Sequence, residues 1–83
     1  MADPCQLTLY SRAYCHLCHD MERALEALRM ELAFDLQVLD VDADPILEAR
    51  FNELVPVLMH GERELSRYHL SPDAVRAYLA EIR

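Results

Sequence analysis

Apolar positions along this chain switch between a two-residue and a three-to-four-residue period, and each switch marks an element. Leu7 and Leu9 alternate with polar neighbours in Gln6-Leu7-Thr8-Leu9-Tyr10, a short strand pattern that begins after Pro4 has closed off any helix. Ser11-Arg12-Ala13-Tyr14 follows as a turn without glycine. From Cys15 the period lengthens. Leu17, Met21, Ala24, Leu25, Leu28 and Leu32 share one face while Asp20, Glu22, Arg23, Glu26 and Arg29 fill the other. This predicts an amphipathic helix of about four turns, running to near Glu31. Strand character returns from Phe34 to Val41, with Leu36 and Val38 on one face and Leu39 and Val41 on the other. Apolar residues on both faces predict a strand covered from both sides.

Asp42-Ala43-Asp44-Pro45 starts a second helix. Asp44 suits the cap, and Pro45 suits the first helical position because its missing N–H would have no partner there. Ile46, Leu47, Arg50 and Phe51 carry this short helix to Asn52, a left-handed stop. Val55-Pro56-Val57-Leu58-Met59 begins a third strand, with proline where no ladder donor is needed. His60-Gly61-Glu62 reads as a hairpin turn using the chain's single glycine, and Arg63 to Ser66 as a fourth strand. Ser71-Pro72-Asp73 starts a last helix with Val75, Tyr78, Leu79 and Ile82 on one face. The order is β-α-β-α-β-β-α. A parallel pair needs a right-handed crossover and a tight hairpin is antiparallel, so the compact α/β solution is a four-stranded mixed sheet flanked by helices, one domain over residues 1–83.

Composition narrows the function. Hydrophobic residues make up 53% of the chain, enough for a globular core. No apolar run approaches the roughly 18–20 residues that span a bilayer. Met1-Ala2-Asp3-Pro4 lacks a signal-peptide pattern, so a cytoplasmic location is expected, and separately a monomer. Eight basic against fifteen acidic residues give a formal charge of −7, which repels phosphate backbones and anionic lipid. Nucleic acid and membrane surfaces are therefore not expected partners.

The chemistry resides in Tyr14-Cys15-His16-Leu17-Cys18. Three cysteines in a short chain do not make a structural disulfide framework, and Cys5, ahead of the first strand, reads as a bystander. A Cys-x-x-Cys pair in a reducing compartment does redox or metal chemistry. Two cysteines at positions i and i+3 of a helix start lie on adjacent turns and can meet. The first stands where unpaired N–H groups and the positive end of the helix dipole favour a thiolate. Thiols so placed titrate at roughly 3.5–7.5 instead of near 8.5. Cys15 is then the exposed nucleophile and Cys18 the shielded resolving thiol, with Arg12 and His16 adding positive charge. Tyr14 borders the substrate groove.

The segment from Leu9 to His19 resembles a glutaredoxin active site: a strand ending in an aromatic residue, a basic residue three positions before the first cysteine, then Cys-x-x-Cys. Val55-Pro56 is similar to that family's Thr-Val-Pro, and the element order also matches. The resemblance implies a thioredoxin-like, glutaredoxin-type fold and thiol–disulfide exchange. It assigns Cys15 as nucleophile, Cys18 as resolver and Arg12 as the positive neighbour. Val55 would dock an extended thiol substrate through its backbone, beside a cis Pro56. The partners implied are a thiol or disulfide substrate, protein or small molecule, and either a reductase or glutathione as electron donor. No bound cofactor is implied. His16 and Leu17 replace the family's Pro-Tyr, and Glu64-Leu65-Ser66-Arg67-Tyr68-His69 stands where the family carries Gly-Gly and an acidic turn that holds glutathione. Glutathione as co-substrate thus lacks its usual receptor.

Other readings stay open. Cys15-His16-Leu17-Cys18-His19 also fits a c-type haem attachment motif, which requires export and leaves Val55-Pro56 unexplained. Cys15, Cys18 and His19 would supply three ligands for zinc or an iron–sulfur cluster, although no second Cys/His pair of suitable spacing follows and His60 and His69 read as isolated surface residues. A non-catalytic interaction domain of the same fold is the third.

Overall fold

The computed structural model describes residues 5–82, so the expectation at Pro4 lies outside the described residues. Strand β1 (Cys5–Ser11) is followed by α1 (His16–Leu28), β2 (Phe34–Asp40), α2 (Pro45–Phe51), β3 (Val57–His60), β4 (Arg63–Arg67) and α3 (Pro72–Ile82). Short 3-10 turns at Val41–Ala43 and Asn52–Leu54 flank α2. The sheet order is β2-β1-β3-β4. β1 and β2 pair in parallel across α1, while β3 runs antiparallel to both β1 and β4. The expected element order and mixed four-stranded sheet are both present.

Local chemistry explains most boundaries. The Asp44 carboxylate accepts the Ile46 N–H at 2.9 Å with Pro45 in the first helical turn, which starts α2. Ser71 Oγ accepts the Ala74 N–H at 3.4 Å and starts α3. Gly61 occupies the hairpin with φ of 60°, a conformation that costs glycine nothing.

Five expectations need correction. α1 stops at Leu28, because the Met30 N–H bonds the Ala27 carbonyl in a tighter turn and Arg29 Nε bonds the Phe34 carbonyl at 3.2 Å, steering the chain into β2. β2 lies at the edge of the sheet, beyond full cover by the packed elements: Val38 is exposed, so the strand is not covered on both faces. Cys5 belongs to β1 itself, opposite Phe34. Asn52 has positive φ, yet its ψ of −107° is not left-handed helical, and the chain continues into a 3-10 turn. Ile82 is exposed near the end of α3.

The sheet is covered on both faces. Leu7, Leu9 and Leu58 pack with Met21, Leu25 and Leu28 of α1 and Val75 and Leu79 of α3. On the other face Val57 and Met59 pack with Phe51 of α2, Val41, Val55 and Cys18. Tyr10 stacks on Phe51 with ring centroids 4.1 Å apart. Met21 and Met59 are the core fillers expected of them. Among the described residues no helix is long and apolar enough to cross a membrane.

Candidate active site

Strand direction gathers the candidate residues at one end of the sheet. β1 ends at Ser11, opposite Asp40 at the end of parallel β2. β3 is antiparallel, so its first residue, Val57, pairs with Tyr10 near the end of β1. β4 reverses again and brings Arg67 opposite Val57. The starts of α1 and β3 and the ends of β1, β2 and β4 therefore converge. Arg12, Cys15, Cys18, Asp42, Val55, Pro56 and Tyr68 all belong to these termini.

Cys15 is the N-cap of α1, in extended conformation, and its Sγ accepts the Cys18 N–H at 3.0 Å. An N-cap side chain meets backbone donors that have no partner inside the helix. No acidic residue lies in the first turn of α1 to oppose negative charge on that sulfur. Cys15 and Cys18 are joined as a disulfide with their Cα atoms 5.1 Å apart. Cys15 is half-buried, whereas Cys18 is 0% exposed and packs with Val41, Phe51 and Val55. One sulfur faces outward and the other is enclosed.

The charged neighbours are arranged differently from the expectation. Arg12 turns its Nε to Asp42, 3.1 Å from each carboxylate oxygen. His16 is 87% exposed and its ring lies 3.4 Å from Asp20, one turn further along the helix. The Asp20 carboxyl is held below the ordinary carboxylate range, chiefly by its hydrogen bond from Arg23. Both expected cations thus have carboxylate partners of their own.

Val55 is buried in extended conformation and joined to Pro56 by a cis peptide bond. The Pro56 carbonyl accepts the Tyr68 N–H at 2.8 Å. Tyr68 has φ of 68° and with His69 and Leu70 forms one wall of a groove whose other wall is Leu17, Asp20, Met21 and Ala24 of α1. Tyr14 stands beside Cys15 and is 96% exposed. Sequence reasoning missed Tyr68 and Asp42. A positive φ at tyrosine has no sequence signal, and Asp42 read as part of a helix start.

The metal ligand set is not assembled. His19 lines a second groove with Ser11, Arg12, Ala13, Glu22, Val38 and Asp40, on the β2 side of the site. Among the described residues no three His, Cys, Asp or Glu side chains are grouped to hold a metal ion. His60 is not a plain surface residue: its Nδ1 lies 2.5 Å from Tyr78 Oη, in a partly buried contact far along β3.

Known proteins resemble this chain in sequence and fold. A family model described as glutaredoxin-like domain (DUF836) matches residues 6–80. An uncharacterized protein of Mycobacterium tuberculosis is 34% identical over 80 residues, covering 90% of this chain and 82% of the relative. The solution structure of protein Ne2328 from Nitrosomonas europaea superposes with a TM-score of 0.80 at 35% identity, covering 94% of each chain. NrdH-redoxin of Escherichia coli, a glutaredoxin-like protein whose structure was related to a thioredoxin-like activity profile, gives 0.61 at 29% identity over 87% of this chain and 92% of its own. The architecture is the thioredoxin-like α/β fold.

Proposed function

This chain belongs to the glutaredoxin-like domain family, and we propose that it is a thiol–disulfide oxidoreductase working through Cys15 and Cys18. The observation that carries the reading is the Cys18 N–H aimed at Cys15 Sγ, 3.0 Å away at the start of α1. The same donor and helix terminus that cap α1 favour the thiolate over the thiol, which is the reactive species.

The exchange proceeds in two displacements. The Cys15 thiolate attacks one sulfur of a substrate disulfide; a new S–S bond forms, the substrate's own S–S bond breaks, and the leaving thiolate takes the electron pair and then a proton. Deprotonated Cys18 then attacks the Cys15 sulfur, expelling the second substrate thiolate and leaving the Cys15–Cys18 disulfide. The substrate gains two electrons and two protons, and the protein loses them. A dithiol reductase returns both by the reverse sequence. Val55, extended and beside Pro56, offers its backbone to an extended substrate, and Tyr14, exposed next to Cys15, borders the substrate's approach. Burial of Cys18 reserves it for the intramolecular step.

A thioredoxin-reductase-type donor fits better than glutathione. Glu64 to His69 replace the elements that would hold the glutathione carboxylate, and the thioredoxin-like profile stated for NrdH-redoxin points the same way. A coupled assay with NADPH distinguishes them. Turnover of a small disulfide is expected with thioredoxin reductase and not with glutathione plus glutathione reductase, and it should vanish in Cys15→Ser. Equal turnover by Cys15→Ser and the parent would overturn the assignment.

A further inference from the structure

The arginine nearest the dithiol in sequence is neutralised before any substrate arrives. The Cys15 N–H donates to the Arg12 carbonyl at 3.2 Å, which ties Arg12 into the active turn. Its guanidinium nevertheless faces Asp42, thirty residues away in sequence, with Nε 3.1 Å from both carboxylate oxygens. The parallel register dictates this meeting: Ser11 pairs with Asp40, so the residues just beyond them leave the sheet side by side. The groove on the β2 side carries Glu22 and Asp40 beside His19 and the Asp42-paired Arg12, and among the described residues no cation bridges either carboxylate. The groove on the β4 side carries Asp20, shared between His16 and Arg23. The whole chain bears −7.

We propose that this charge arrangement selects the substrate: the dithiol exchanges faster with cationic disulfides than with anionic ones, oxidised glutathione included, and Asp42 sets the preference by holding Arg12. The proposal rests on the redox reading above. An unmasked guanidinium beside Cys15 would draw an anionic disulfide toward the sulfur. Paired with Asp42 it presents a dipole, as Asp20 does with Arg23, and the field of the unbridged Glu22 and Asp40 decides the encounter. Clefts lined by one sign of charge change association rates by about 10- to 1,000-fold. Asp42 acts here as a positioning residue for Arg12 and takes no part in the exchange itself.

The test uses the reduced protein with cystamine, a disulfide bearing two ammonium groups, and with oxidised glutathione. Each rate is divided by the rate of the same disulfide with dithiothreitol, a neutral dithiol. The parent should favour cystamine by about tenfold at an ionic strength near 0.01 M, where the Debye length is about 30 Å, and much less near 1 M, where it is about 3 Å. Asp42→Asn should raise the glutathione disulfide rate and lower the cystamine rate, each severalfold, and Asp42→Glu should restore the parental ratio. A purely structural role for Asp42 would slow both disulfides together. Arg12→Gln combined with Asp42→Asn removes both charges and should return the ratio toward the parent's. Equal normalised rates in the parent, or Asp42→Asn moving both rates in one direction, would overturn the proposal while leaving the redox function standing. A parent that exchanges with neither disulfide would overturn the redox function itself, and the selectivity with it.

Discussion

Replacing Cys15 separates its structural duty from its chemical one. Its sulfur is the only side-chain cap on α1, accepting the Cys18 N–H at 3.0 Å, and no acidic residue in the first turn shares that work. Serine keeps an acceptor at the cap; alanine leaves the N–H without one. Ser-to-Ala changes at N-caps cost about 1 kcal/mol, with a range of about 0.5–2. For a domain of this size that loss lowers Tm by about 4–8 °C. Both variants should be inactive, since neither has a thiolate at position 15. The assay is paired: thermal unfolding of Cys15→Ser and Cys15→Ala under reducing conditions, and reduction of a small disulfide by each. Two inactive proteins, with the serine form melting higher by several degrees, are expected. Coincident melting would show that side chain 15 does not cap α1, and with it would go the argument for a stabilised thiolate. An active Cys15→Ser would remove the nucleophile assignment whatever the melting showed.

Cys18→Ser should accumulate a mixed disulfide on Cys15, visible by mass spectrometry as substrate mass added to the protein, and failure to trap one would deny Cys18 the resolving step. Phe51→Ala removes a buried ring stacked on Tyr10 in the cluster that encloses Cys18; a loss of about 3–5 kcal/mol in denaturant unfolding is expected, and a loss below about 1 kcal/mol would mean that this face of the sheet is not packed as described. Gly61→Ala meets no atom within 4 Å of the added Cβ, so only the backbone at φ of 60° opposes it, and a destabilisation of about 1 kcal/mol is expected. Glu31 is held below the ordinary carboxylate range by its hydrogen bonds from Arg76. Because its folded value lies below the unfolded one, the pair's contribution is full above the unfolded Glu value of about 4.3 and is lost as pH falls through the folded value. Glu31→Gln should thus be less stable than the parent at neutral pH, with the gap closing in acid; a gap independent of pH would refute the linkage.

Side-chain period and local capping were enough to read most of this protein from its sequence. The two-residue alternation of Leu7 and Leu9, the helical spacing of Met21, Leu25 and Leu28, the Asp44-Pro45 helix start and Gly61 each reflect interactions within a few residues, and the elements follow in the expected order, with α1 ending short of Glu31 at Leu28 and β3 starting at Val57 instead of Val55. The helix start at Cys15 was legible for the same reason; the enclosure of Cys18 was expected from its place further into the helix, but the side chains that enclose it, Val41, Phe51 and Val55, come from other segments.

What the sequence left undecided depends on residues far apart along the chain. Strand order put β2 at the edge of the sheet, where Val38, expected to be buried, is exposed. Register set the charge at the site: Arg12 is basic in any reading, but only the pairing of Ser11 with Asp40 brings Asp42 to its guanidinium. The antiparallel return of β4 placed Tyr68 against Pro56 in the same way. Local patterns determine where a thiol sits on its helix, because the helix is a local object. Which charges and walls surround that thiol was decided by tertiary structure alone, because strand pairing joins segments that no short-range pattern connects.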